Sequence, residues 1–138
     1  MRSALKNVVS VILGFIVASV VMMLVEMLNG HVLYPELSKA ARIATNPEAV
    51  RALMASVPTG AMVVVLVGWL LGGVAGGWVT GRIAAAAGLR HALILGVLLT
   101  LAGIANNLML PPPLWFWVAG MLVLGPAAYL GGVLAGKR

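Results

Sequence analysis

The sequence predicts an all-α fold, a polytopic four-helix transmembrane bundle with both termini cytoplasmic, and three observations carry that reading. Of 138 residues, 62% are hydrophobic and 9% charged, and the mean hydropathy is +1.11. Soluble domains run at roughly 45–50% apolar and about 25% charged, and one of this size has too little interior for so much apolar surface. Four mostly apolar stretches, at 7–28, 60–81, 91–110 and 114–136, each reach the length of about 20 residues that a helix needs to cross a bilayer. The lysines and arginines flank these stretches, where topology signals sit. The whole chain, 1–138, reads as one integral membrane domain.

The first span follows Arg2 and Lys6. Its start looks like a leader peptide, but Val8–Leu28 is long enough to span and no A-x-A site precedes Glu26, so it reads as a retained helix. Ser10, Gly14 and Ala18 form a small-residue stripe that continues through Met22 to Glu26. Glu26 lies within about 80° of Ala18 on an ideal helix, so it is expected to face protein. The connection 29–59 is too long for a simple link. Within it, TNPEAVRALMASVP places Asn46 as N-cap, Pro47 at the first helical position and Glu48 in the first turn. A short amphipathic helix over 47–57 follows, either lying on the outer membrane surface or packed on the bundle mouth.

The second span carries two glycine ladders, Gly68, Gly72, Gly76 and Gly73, Gly77, Gly81. Such ladders let backbones approach closely in lipid. One serves a neighbour within the chain. The other is free for a second copy, so self-association is expected, unless the four helices of one chain use both. Trp69, mid-span, is expected to pack across these glycines. LPPPLW separates the third and fourth spans, because proline cannot continue a helix. Gly125-Pro126 predicts a kink in the fourth span.

Arg2, Lys6, Arg82, Arg90, Lys137 and Arg138 fall on one side of this topology, and Lys39, Arg42 and Arg51 on the other, diluted by Glu36 and Glu48. The positive-inside rule then puts both termini in the cytoplasm. The order of NGHVLYP, GGVAGG, NNLMLPP and GGVLAG suggests a duplicated two-helix unit, a parallel repeat about an axis along the membrane normal. It pairs Asn29 with Asn106 near the outer end of that axis.

Several functions are excluded. The chain has no cysteine and no aspartate, and no span holds paired carboxylates, so neither an enzyme nor a cofactor is expected. No basic stripe interleaved with aromatics suggests nucleic acid. Glu26 and His31 are five residues and about 140° apart on an ideal helix, with no HxxxH pattern, so no metal site is expected either. Glycine at position 30 is expected to break the helix there.

What remains is a polar layer near the outer face: Glu26, Asn29, His31, Asn106 and Asn107. An acid within a span is a functional candidate by default. A desolvated carboxyl there can exchange a proton or hold a cation. Glu26 equally reads as a snorkelling group, and the asparagines as helix caps. Tyr34, Trp115 and Trp117 read as an interfacial aromatic belt.

The pattern Glu26-x-x-x-x-His31-x-x-x-Pro35, the NPEA segment, the Trp69–Trp78 glycine run and IANNLMLPPPLWFW resemble an uncharacterised family of small four-span bacterial integral membrane proteins. The resemblance implies the four-span fold and a bacterial inner membrane, and no substrate, cofactor or catalytic residue. The motifs are not similar to those of the small multidrug exporters, whose first-helix acid lies nearer mid-membrane. Two functions follow as expectations. One is small-solute or ion binding or permeation by a homo-oligomer through the polar layer. The other is an accessory subunit that packs on a larger membrane protein.

Overall fold

The computed structural model describes residues 1–136; Lys137 and Arg138, two of the charges from which the orientation is predicted, lie outside the described residues. The described residues are helical with no strand. They form α1 (Arg2–Leu28), a π-helical turn (Asn29–Leu33), α2 (Pro35–Ile43), α3 (Pro47–Ser56), α4 (Thr59–Ile83), α5 (Gly88–Met109) and α6 (Leu114–Gly136). α1 with its π turn, α4, α5 and α6 are long and apolar enough to cross a membrane. They have no polar face. Ile16 and Val20 on α1, Val97 and Leu101 on α5, and Leu122 on α6 all point outward. Soluble monomers seldom expose so much contiguous apolar surface, and lipid is the solvent that suits it.

α4 is the hub. It packs along α1 and α6 and less extensively on α5, α5 packs on α6, and α1 touches α5 only lightly. The glycine ladders explain the first two contacts. A Cβ built at Gly72 would come within 2.7 Å of the Ala18 carbonyl oxygen, and one at Gly76 within 2.5 Å of that of Gly14, so this ladder is spent on α1. A Cβ at Gly77 would overlap the Ala128 carbonyl, and one at Gly81 would come within 2.8 Å of Ala135 Cβ, so the other ladder is spent on α6. Both are consumed within the chain, which removes the premise that one is free for a second copy. Near the crossing, Thr80 Oγ1 donates to the Ser10 carbonyl at 3.2 Å, with both residues fully buried. Such interhelical bonds contribute about 0.6 kcal/mol on average.

Trp69 is buried, but not across the ladders of its own helix. Its ring lies against Gly103 of α5 and Gly120 of α6, where an added Cβ would meet it at 3.5 and 2.7 Å. It meets Phe116 edge-on, with ring centroids 5.4 Å apart. α6 runs unbroken through Pro126.

The end of the bundle near the termini is closed by the α4–α5 turn. The Ala85 backbone N–H donates to Asn7 Oδ1 at 2.9 Å, tying this turn to α1. Ala87 turns the chain in the left-handed region, at φ 51° and ψ 46°. That conformation costs an L-residue about 1–2 kcal/mol, partly offset by the roughly 0.5–1 kcal/mol greater entropy loss of a glycine. Ala87→Gly is therefore expected to stabilise the fold by about 0.5–1 kcal/mol. Reversible unfolding in mild detergent checks this, and an unchanged or lower midpoint refutes it.

At the distal end, opposite the termini, the 29–58 connection holds one helix more than expected. α2 begins with Pro35 and Glu36 and ends with Arg42 in its last turn, the same proline–acid opening as α3. α3 is capped by Asn46, whose Oδ1 accepts from Ala49 N at 2.8 Å. Met54 of α3, with Val57 just after it, faces the bundle mouth beside Pro112 and Met62.

Candidate functional site

The site begins where α1 fails to stop. Gly30 does not break the helix; the chain continues as a π turn, closed by Tyr34 N donating to the Asn29 carbonyl at 2.7 Å. The extra residue in such a turn re-aims side chains, and π turns are frequent at functional sites. Here Asn29 is turned into the bundle, 6% exposed, and its Nδ2 donates to the Ala61 carbonyl at 3.0 Å. Ser38 of α2 donates to the Gly30 carbonyl at 2.7 Å and holds α2 over the turn.

Asn29 and Ser38 line a cavity of about 270 Å³ that also takes in Glu26, Asn106 and Asn107. Ala61, Met62, Val65 and Phe116 supply its apolar wall. Asn107 is 1% exposed, yet neither its Nδ2 nor its Oδ1 has a hydrogen-bond partner among the described residues, and Asn29 Oδ1 also lacks one. An unpaired buried polar group costs about 1–3 kcal/mol, so three such atoms set this wall apart from an ordinarily satisfied core.

Glu26 and Asn106 also border a second cavity of about 230 Å³, a groove on the flank of the bundle. Its sides are one face of α1, from Phe15 through Ser19 and Met22 to Glu26, and the facing residues Ala102 and Asn106 of α5. Its floor is Trp69, Leu99 and Leu124, all buried. Ser19, Met23, Ala102 and Asn106 along its rim are exposed. The groove exists because α1 and α5 barely touch. The Glu26 side chain is accessible, and its carboxylate makes no hydrogen bond or ion pair with the described residues. It is the only ionisable residue lining either cavity.

Four of the five sequence-derived residues, Glu26, Asn29, Asn106 and Asn107, thus meet at one cavity. His31 does not: it is exposed, with Nδ1 held 3.1 Å from the Met27 carbonyl of its own helix, and lines neither cavity. The unbroken helix is the physical reason, since His31 stays around the axis from Glu26. No cluster of three metal-ligating side chains occurs among the described residues. The other buried asparagine of this cavity is Asn107; Asn106, the match of Asn29 in the repeat alignment, is at the rim. Ser38, the Ala61 carbonyl and Trp69 are site groups that the sequence reading missed. The Pro35-Glu36 helix start was the one signal that pointed toward Ser38.

Beyond the distal cavity, a mouth of about 500 Å³ is lined by Arg51, Thr59, Trp115 and the three prolines Pro111, Pro112 and Pro113. It shares Met54 of α3, Val57, Met62 of α4 and Pro112 with the amide cavity, so these side chains stand between the two. Toward the termini, α1, α4 and α5 close around fully buried Leu95, which an added Cβ at Gly14 or Gly76 would meet at 3.1 or 3.2 Å. No protein-family model, no curated protein and no solved structure matches this chain. Its fold and site define it as an all-helical bundle of the multi-pass membrane type with an acid-and-amide cavity near one end.

Proposed function

We propose that this protein binds a small solute or ion in the amide cavity, as a multi-pass protein of a bacterial inner membrane with both termini cytoplasmic. The observation that carries the proposal is the unpartnered, buried Asn107 amide beside Asn29 and the unpaired Glu26. A bundle with no ligand at this point would gain stability from an apolar residue there. With Glu26 the sole ionisable group of the lining, the occupant is cationic or neutral.

Permeation is the further step of this reading. It requires the packing around fully buried Leu95 to open, because α1, α4 and α5 close around that residue. The duplicated-hairpin origin and the membership in the small four-span family are parts of the proposal that rest on sequence motifs, whereas a homo-oligomer has lost its motif, since both ladders pack inside the chain. Any self-association uses a face other than the glycine ladders.

The alternative, an accessory subunit, is favoured by one feature. An apolar groove of about 580 Å³ lies between α5 and α6, lined by Val97, Leu101, Pro126 and Tyr129, where Gly125 meets nothing within 4 Å. A larger membrane protein would dock there. Gly72→Leu and Gly76→Leu cannot test this, since both residues pack inside the chain.

Binding of methylammonium to the protein in phosphatidylcholine nanodiscs, read as a rise in thermal midpoint, tests the solute reading. Glu26→Gln is expected to weaken it about tenfold, the loss of one charge-assisted contact. A midpoint equally unmoved in wild type, Glu26→Gln and Asn107→Leu, for this probe and for its alkyl homologue used below, would leave the accessory reading.

A further inference from the structure

The flank groove and the amide cavity meet at Glu26 and Asn106, and together they have the polarity profile of an amphiphile. The α1 side of the groove spans twelve residues, from Phe15 to Glu26, a rise of about 16 Å along a helix. It is apolar apart from Ser19, lies parallel to the helix axes, and opens sideways between α1 and α5, which in a bilayer is toward lipid tails. At its distal end the chemistry changes to one carboxylate and the amides of Asn29 and Asn107, of which Asn29 Oδ1 and both polar atoms of Asn107 have no partner among the described residues. No basic side chain lines either cavity.

We propose that the occupant of this site is a single-chain alkyl amine that enters laterally from the membrane, its ammonium against Glu26 and its tail along the groove over Trp69. This deepens the function proposed above and rests on it. A primary ammonium carries three N–H donors, and the accessible Glu26 carboxylate is the charged acceptor that the lining offers it, with the amides of Asn29 and Asn107 buried in the same wall. The opposite charge, a fatty acid or other anionic amphiphile, would face a lone carboxylate with no compensating cation. A tail-less cation leaves the groove, with its buried floor of Trp69, Leu99 and Leu124, to a bilayer lipid. An alkyl amine fills both halves.

Trp69 at the groove floor reports on the tail. In a Trp78→Phe, Trp115→Phe, Trp117→Phe background it is the sole tryptophan. In phosphatidylcholine nanodiscs, which offer no competing primary amine, terminally brominated dodecylamine is titrated against brominated dodecanol of the same length. The amine is expected to quench Trp69 at a membrane concentration about tenfold lower than the alcohol, the equivalent of one charge-assisted interaction. Glu26→Gln should erase that difference. Ala102→Phe and, separately, Ser19→Phe fill the groove from exposed rim positions and should abolish the amine's advantage while leaving the methylammonium midpoint shift intact.

Equal quenching by amine and alcohol in the parent protein overturns the proposal, because it describes ordinary bilayer contact. So does quenching by the amine that survives both groove-filling variants. If methylammonium still binds in an Asn107-dependent way under either result, the solute site stands and only the amphiphile is lost. If neither probe responds to Glu26→Gln or Asn107→Leu, both readings fail together.

Discussion

Gly77→Leu is expected to abolish the folded bundle, whereas Gly136→Ala leaves it intact. At Gly77 the obstacle is the backbone of α6, not a side chain that can swing away: a Cβ would overlap the Ala128 carbonyl, with the Ala128 carbonyl carbon and Cα both at 2.9 Å. Gly131 makes the reciprocal contact from α6, where a Cβ would overlap the Val74 carbonyl. Accommodating leucine means separating α4 from α6 along their length, and with them the seat of Trp69 on Gly120. Native stability is only about 5–15 kcal/mol, and a clash with unyielding backbone reaches the rare class of losses above about 4–5 kcal/mol. A Cβ at Gly136, in contrast, meets nothing within 4 Å. Unfolding in mixed micelles measures both. A Gly77→Leu protein with near-native stability would show that α4 and α6 do not pack as described.

Asn107→Leu is expected to make the bundle more stable and to destroy binding. The two side chains share the same branched heavy-atom skeleton, and the larger methyl groups of leucine can extend into the cavity that Asn107 lines. The substitution removes one buried amide whose two polar atoms have no partner among the described residues, an unsatisfied group that costs about 1–3 kcal/mol. A gain of roughly 1–3 kcal/mol for the unliganded protein is the expected result, with the methylammonium-induced midpoint shift lost. Stability given up for a preorganised polar group is a recurrent trade at functional sites. Asn29→Leu behaves differently, because it also forfeits the 3.0 Å bond to the Ala61 carbonyl. A destabilised Asn107→Leu protein would mean that the amide is satisfied structurally, and the site would lose its main support.

The two results together separate architecture from function. Gly77 matters to the fold alone, since it lies away from the amide cavity. Asn107 matters to the site at the expense of the fold. Loss of binding in both variants would therefore have different causes, visible in the unfolding data of each.

Sequence alone determined the span count, and for a physical reason. An uninterrupted apolar run longer than a bilayer is thick is a one-dimensional signal, and PPP and the glycine-charge boundaries punctuate it locally. The Asn46 cap of α3 is equally local, because a cap bonds a backbone N–H three residues away. Glu26, Asn29, Asn106 and Asn107 were legible as candidates because polar residues at the end of an apolar span are conspicuous.

Only the tertiary structure decided how these pieces meet. Periodicity gives the two glycine ladders a direction around α4 but no partner; that both are used inside the chain depends on the backbones of α1 and α6, far away in sequence. The continuation of α1 past Gly30 as a π turn carried His31 away from the site and swung Asn29 into it. Glycine makes a helix break permissible without requiring one, and here Ser38 of α2 holds the turn from eight residues on. Which of the adjacent asparagines is buried follows from the roll of α5 against α6, set by where Gly96 and Gly103 let Ala128, Leu124 and Trp69 approach. The flank groove is the least local feature of all. It is the space left because α4 holds α1 and α5 apart, and no residue within either helix encodes a distance to the other.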